Sequence, residues 1–233
     1  MATIINIETS GTVCSAALSS DGMVLVHHED FSGLNHAALL SDYIKACLDY
    51  SRERGLKPDA VAVSMGPGSY TGLRIGLSEA KGLAYGLEVP LIGIPTLELL
   101  ATTALFEADL SDENTIYIPM VDARRMEVYT AAYDNGLQQL ITPQALILDE
   151  NSYADLKATG RPLVFFGSGA EKARPIFEDY PQATFLDHIA PLASGMTALC
   201  DVCYARGQFI DVAYSTPIYI KDFQATTPKH KVL

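Results

Sequence analysis

Gly72, Gly76, Ala80 and Ala84 recur at every fourth position of the run TGLRIGLSEAKGLAYG, directly behind the loop SMGPGSYTG. No other feature constrains the fold of this chain as tightly. In an exposed helix each internal glycine costs ~1 kcal/mol relative to alanine, so a row of them calls for something pressed against it. Side chains this small admit a second backbone unusually closely, by the geometry that small-xxx-small faces use between membrane helices. Leu73, Leu77, Ala80 and Ala84 form an adjoining apolar stripe suited to the protein's own core. The small face therefore packs either on the internal sheet or against a helix of another subunit. The pattern favours the second, on a helix from about Thr71 to Tyr85.

The loop itself poses a chemical question. Glycines ahead of a helix N-terminus can turn backbone N–H groups onto a phosphate. A Walker loop, however, needs G-x-x-x-x-G-K-[ST], and here Gly72 is followed by Leu73 and Arg74. The dinucleotide fingerprint G-x-G-x-x-G fails at Thr71. A capping turn, with Ser69 or Thr71 as N-cap, accounts for the same residues.

With 48% hydrophobic and 19% charged residues, the 233-residue chain can bury a substantial core. Its net charge of −12 opposes nucleic-acid binding, which draws on Lys and Arg to displace counterions. No autonomous tRNA binding is expected. No apolar run reaches membrane-spanning length, and MATIINIETS lacks the basic leader of a signal peptide, so a cytoplasmic location without membrane association is expected. The four cysteines are too few and scattered for a disulfide framework. Cys200-x-x-Cys203 has no second ligand pair, and reads as helix packing.

Along the chain, ATIINIE, TVCSAALS and MVLVHHE read as strands separated by turn residues. A helix follows over Asn35–Tyr50, with Ala37, Leu40, Ile44, Cys47 and Leu48 at helical spacing and Asn35 as N-cap. DAVAVSM is a strand feeding the loop, VPLIGI another, and PTLELLATTALFEA a helix. A second βββαβα order follows: TIYIPMVDA, RMEVYTAAYD and LQQLITPQALIL as strands, NSYADLKATG as a short helix, and PLVFFGSG as a strand. GAEKARPIFEDY and APLASGMTALCDVCYARGQ then read as helices. The repeat predicts a duplicated α/β mixed-sheet fold with halves at 1–108 and 109–233, the last segment packing back on the first half. The tail ATTPKHKVL is expected to fray.

IETS (Ile7–Ser10), SMGPGSYTGLRIGLSEAKGLAYGL, PTLELLA and VDARRMEVYTAAYD occur in that order from Ile7 to Asp134. Together they resemble the TsaB (YeaZ) family, bacterial partner proteins in threonylcarbamoyladenosine biosynthesis that also carry glycoprotease-homologue labels. PIYIKDF (Pro217–Phe223) resembles the family's closing strand. The resemblance implies a duplicated RNase H-like, actin-like fold of the heat-shock ATPase and sugar-kinase class. It also implies a non-enzymatic subunit needed for threonylcarbamoyl transfer to adenosine 37 of tRNA. Such a subunit pairs with the catalytic paralogue TsaD, enables recruitment of the ATPase TsaE, and forms a homodimer when alone. The docking surface is expected on the first helix at Ala37, Leu40 and Ile44. On the second helix it is expected at Tyr70, Gly72, Arg74, Ile75, Gly76, Glu79 and Ala80.

The catalytic paralogue carries a metal-binding H-x-x-x-H on its first long helix. Here His36 is followed four residues on by Leu40, so no metal is expected. His27 and His28 point to opposite faces of a strand, and His188 and His230 have no partner at ligand spacing. Neither an H-E-x-x-H helix nor a G-x-S-x-G elbow supports proteolysis. No cofactor of its own is expected, although ATP or ADP at a subunit interface stays open. Glu8, Thr9, Ser10, Gly66 and Gly68 would form a degenerate nucleotide contact, with Gly167-Ser168-Gly169 as a second glycine turn. Against that, Glu8 reads as a solvated strand-end carboxylate, and Asp122 with Arg124 as a local charge-assisted pair or a support of the inter-domain contact. The competing reading is an actin-like ATP-dependent kinase or ATPase with its own nucleotide site.

Overall fold

The structure, a computed structural model, describes residues 2–33, 35–107 and 112–221. In the first unit β1 (Thr3–Glu8) pairs antiparallel with β2 (Cys14–Ser20), and β2 with β3 (Met23–Asp30). On its other side β1 pairs in parallel with β4 (Ala60–Gly66), which pairs in parallel with β5 (Leu91–Pro95). The sheet order is β3-β2-β1-β4-β5. The second unit comprises β6 (Ile116–Asp122), β7 (Glu127–Tyr133), β8 (Gln139–Ile147), β9 (Leu163–Phe166) and β10 (Ala183–Leu186). These are ordered β8-β7-β6-β9-β10, the same topology laid down twice. The chain has the duplicated actin-like α/β fold.

Both faces of the first sheet are covered. Toward α1 (His36–Glu53) and α2 (Tyr70–Leu87), Ile5, Ile7, Val61 and Val63 pack with Leu40, Ile44, Cys47, Leu77, Ala80 and Ala84. On the opposite face Ile4, Ala62, Ile92 and Ile94 meet Leu99 of α3 (Thr96–Glu107), together with Met196 and Cys200. β1 and β4 are buried along their whole length, as strands covered on two sides must be. Eight of the twelve residues of α3 are buried, because Leu97, Leu100, Ala101 and Ala104 face Tyr117, Val164 and Phe166 of the second sheet. A helix apolar around its circumference belongs between layers.

The second half departs from expectation in four places. The helix expected over GAEKARPIFEDY is two short 3₁₀ turns, Ala170–Lys172 and Arg174–Phe177, since Pro175 removes a helical donor. β10 follows where none was anticipated. The closing helix starts as a 3₁₀ turn at Ser194–Met196 and becomes α-helical only as α5 (Thr197–Ala205), after α4 (Ala154–Ala158) earlier in the chain. The Pro217–Lys221 part of PIYIKDF is irregular, although the Ile218 N–H donates to the Met65 carbonyl at 2.7 Å. Phe223, His230, the tail and the 108/109 boundary lie outside the described residues.

The largest correction concerns α2. Gly72, Gly76, Ala80 and Ala84 are all buried in the chain's own interior. A Cβ at Gly72 would stand 2.1 Å from the Thr9 carbonyl oxygen, and one at Gly76 2.2 Å from Thr9 Oγ1. This crossover helix between β4 and β5 must lie on the sheet, and its small row is where the β1–β2 turn presses in. Leu40 and Ile44, 0% and 5% exposed, are likewise core. Leu40, Ile44, Gly72, Gly76 and Ala80 therefore drop out of the expected docking surface.

Alanine at Gly76 should destabilise the fold by about 1–3 kcal/mol through overpacking. Gly82, with nothing within 4 Å of its Cβ position, should gain about 0.5–1 kcal/mol from the same change. Urea unfolding of the two variants checks both signs.

Candidate functional site

The loop behind β4 is seated on protein oxygens. Ser69 caps α2, its Oγ accepting from the Gly72 N–H at 3.2 Å, while its own N–H donates to the Ser10 carbonyl at 2.7 Å. A Cβ at Gly68 would lie 2.3 Å from that same Ser10 oxygen, and Gly66 adopts φ +105°. Thr9 completes the clasp by donating from Oγ1 to the Gly72 carbonyl at 2.8 Å. The close-approach glycines of GPGSYTG thus admit the β1–β2 turn. In the second unit Gly167 and Gly169 do the same against β6 and β7, and Ser168 Oγ accepts the Asp122 N–H at 3.0 Å.

Glu8 lies beneath this clasp, fully buried rather than solvated as expected. The strand end is sealed by α2 and by the turn folded onto it. Burial pushes its carboxyl up to about 7, against the opposing pull of the Ser10 and Ser64 hydroxyls and the Thr9 and Ser10 amides. The Ser10 N–H reaches Oε1 at 2.5 Å. Thr9 and Ser10 are buried as well.

Above the clasp a cleft of about 1340 Å³ opens between the two units. Its floor includes Ser10, Gly68 and Tyr70, and its far wall is the β6–β7 hairpin. Asp122 forms its ion pair with Lys172 Nζ at 2.7 Å and accepts the Arg124 backbone N–H, while the Arg124 guanidinium acts on it only through space. Lys221 pairs with Glu127 at 2.7 Å, joining the C-terminal segment to the second unit. Tyr219 packs on Tyr70 at 5.2 Å, and Arg74 lies over the other end of the contact with Nη1 2.6 Å from the Tyr70 hydroxyl.

Of the expected docking residues, Ala37, Tyr70 and Arg74 are exposed, and Ile75 and Glu79 are half-buried, with Glu79 accepting from Ser41 of α1 at 2.9 Å. A second small row, Ser78, Gly82 and Gly86, also recurs every fourth residue but faces outward beside Tyr85, which is 81% exposed. It is displaced from the buried row by two residues, about 200° around the helix. The same spacing rule would have found it. Among the described histidines, His27 pairs with Glu29, His28 stacks on Tyr43, and His36 lines the cleft. The described residues hold no group of three His, Cys, Asp or Glu placed for a metal. Burial raises the thiol of Cys200 well above its ordinary range and that of Cys203 as well.

Comparison with known proteins adds a separate line. A family model described as TsaD, tRNA N6-adenosine threonylcarbamoyltransferase, matches residues 28–205. Over 224 residues the chain is 30% identical to the tRNA threonylcarbamoyladenosine biosynthesis protein TsaB of Escherichia coli (strain K12), with 94% of each covered. It is 32% identical over 188 residues to the TsaB of Bacillus subtilis (strain 168), with 76% of each covered. Among solved structures, YeaZ from Pseudomonas aeruginosa superposes with TM-score 0.72 at 26% identity, covering 94% of this chain and all of that one. A second structure, of a protein described as having similarity to peptidase YEAZ from Pseudomonas aeruginosa, gives 0.74 at 25%, covering 95% of this chain and all of that one.

Glu8 gives a pH test. An unfolded Glu ionises near 4.5, the folded one near 7, so folding holds the proton and stability falls as pH rises between those values. Glu8→Gln removes the titration, and its stability relative to wild type should rise by up to ~3 kcal/mol between pH 4.5 and pH 7, then level off. Urea unfolding at pH 4.5, 6 and 8 measures this; a pH-independent gap would contradict it.

Proposed function

Because this chain belongs to the TsaB (YeaZ) family, whose named members act in tRNA threonylcarbamoyladenosine biosynthesis, we propose that it is the non-catalytic partner of a TsaD-type transferase. It pairs with that paralogue and enables a TsaE-type ATPase to join. One observation carries the reading: the outward row Ser78, Gly82, Gly86 with Tyr85 on α2. Two glycines in the open on a helix have no internal packing to explain them, and each costs ~1 kcal/mol there. A facing helix that uses the close approach supplies the missing reason, and an exposed tyrosine beside it is a typical anchor. Ile75, Glu79 and Ala37 extend the surface onto α1, and the same face serves a homodimer when the chain is alone.

An ATP-dependent kinase has less support. Glu8 is sealed, and the glycines of the loop hold its own backbone. The reading needs no nucleotide held by this chain alone; one shared with the partner at their interface is compatible with it. Transfer to tRNA then falls to the partner, which also suits a surface of net charge −12. The proposed place of action is the cytoplasm; no helix of the described residues is long and apolar enough to cross a membrane.

Reconstitution with TsaC, TsaD and TsaE tests the role. Modification of tRNA should require this chain, and should vanish when TsaD is left out instead. Activity without this chain, or without TsaD, would overturn the assignment. Gly82→Arg should keep or raise the unfolding midpoint while weakening pairing ~30-fold or more; undiminished pairing moves the interface elsewhere.

A further inference from the structure

The β6–β7 hairpin turns through two consecutive non-glycine residues in left-handed conformation, Arg124 at φ 74° and Arg125 at φ 49°. Such backbone costs an L-residue ~1–2 kcal/mol, which Gly, or to a lesser degree Asn, would avoid. Both side chains are exposed and line the cleft. Neither guanidinium makes an ion pair or hydrogen bond among the described residues. The carboxylates of the same wall are engaged elsewhere, Asp122 with Lys172 and Glu127 with Lys221, each at 2.7 Å. The hairpin region thus gathers four cations against two carboxylates, in a chain of net charge −12.

The mouth beside these arginines is aliphatic. Ile147 is 67% exposed and Met126 45%, and both line the cleft. The aromatic pair there, Tyr70 and Tyr219, packs together with its rings tilted at 31°, so the contacting faces do not offer a platform for a base. Paired arginine forks beside aliphatic groups match carboxylates on a polypeptide better than a nucleic acid strand, which would want open flat surfaces.

We propose that the cleft receives an acidic, aliphatic-bearing segment of the partner subunit. Its carboxylates bind Arg124 and Arg125, and an aliphatic side chain packs on Met126 and Ile147. This rests on the pairing reading above, with which it is continuous: Tyr70 and Ile75, on the first turns of α2, also line the cleft. The strained arginines are then kept for recognition, at a cost in stability.

The test uses the full chain and its TsaD-type partner. Arg124→Asn with Arg125→Asn should leave the melting temperature unchanged or higher, weaken pairing at least ~10-fold, and flatten its salt dependence. Ile147→Asp, on β8 and leaving both turn residues in place, should weaken pairing likewise through like charge. A photo-crosslinker at Ile147 should capture the partner, at a segment rich in Asp or Glu. Wild-type affinity in both variants overturns the cleft assignment while pairing through α2 stands. So does crosslinking to tRNA, or to a partner segment without acidic residues. If the wild-type chain does not pair with a TsaD-type protein at all, the pairing reading fails first and this one with it.

Discussion

Thr9 holds the first unit together by occupying the space that two missing side chains leave. Gly72 and Gly76 let the β1–β2 turn come so close to α2 that a Cβ at either would collide with it, and the Thr9 hydroxyl bonds the Gly72 carbonyl. Everything around the cleft inherits its position from that contact. Gly68 of the loop and Gly72 of α2 press on the Ser10 and Thr9 carbonyls, the strand-end carboxylate of Glu8 is sealed below, and the opposite side of α2 is left facing outward. The glycine-rich loop thereby keeps the outline of a phosphate cradle and fills it with the protein's own main chain.

The second organising element is α3. Its sides serve two sheets at once, Leu99 toward Ile92 and Ile94, Leu100 and Ala104 toward Val164 and Phe166. With the Lys221–Glu127 pair it ties the units on two sides of the cleft, so that the walls facing each other across it are defined by packed helix and ion pair.

Much of this was legible in the letters, and the failures have physical reasons. The first eight elements follow from alternation and helical spacing, because strands buried on both faces read as continuous apolar runs. The duplicated order was visible too. The orientation of α2 was not: rows at 72, 76, 80, 84 and at 78, 82, 86 obey one spacing on opposite faces, and periodicity alone does not say which is inward. The crossover rule, that a helix joining parallel strands lies on their sheet, would have decided it. Glu8 misled because a carboxylate at a strand end is usually solvated; only the turn folding over it reverses that. Pro175 was present in the sequence as a helix breaker, while β10 is four residues long and carries little pattern. The left-handed Arg124 and Arg125 have no compositional signal at all, since that conformation normally announces itself with Gly or Asn.

α5 and the 3₁₀ turn ahead of it help α3 close the face of the first sheet opposite α1 and α2, and the segment after α5 caps the edge strand β5. Cys200 and Met196 pack on Ile4, Ala62 and Ile94, and the Ile210 N–H bonds the Leu91 carbonyl at 2.8 Å. The first half of the chain is thus finished by its last part. During synthesis, that sheet face leaves the ribosome long before this part of its cover does, and only α3 shields it while the second unit is made. The first half is therefore completed only after the second, and an interrupted chain ending after the second sheet would present a partly uncovered apolar surface for quality control to recognise.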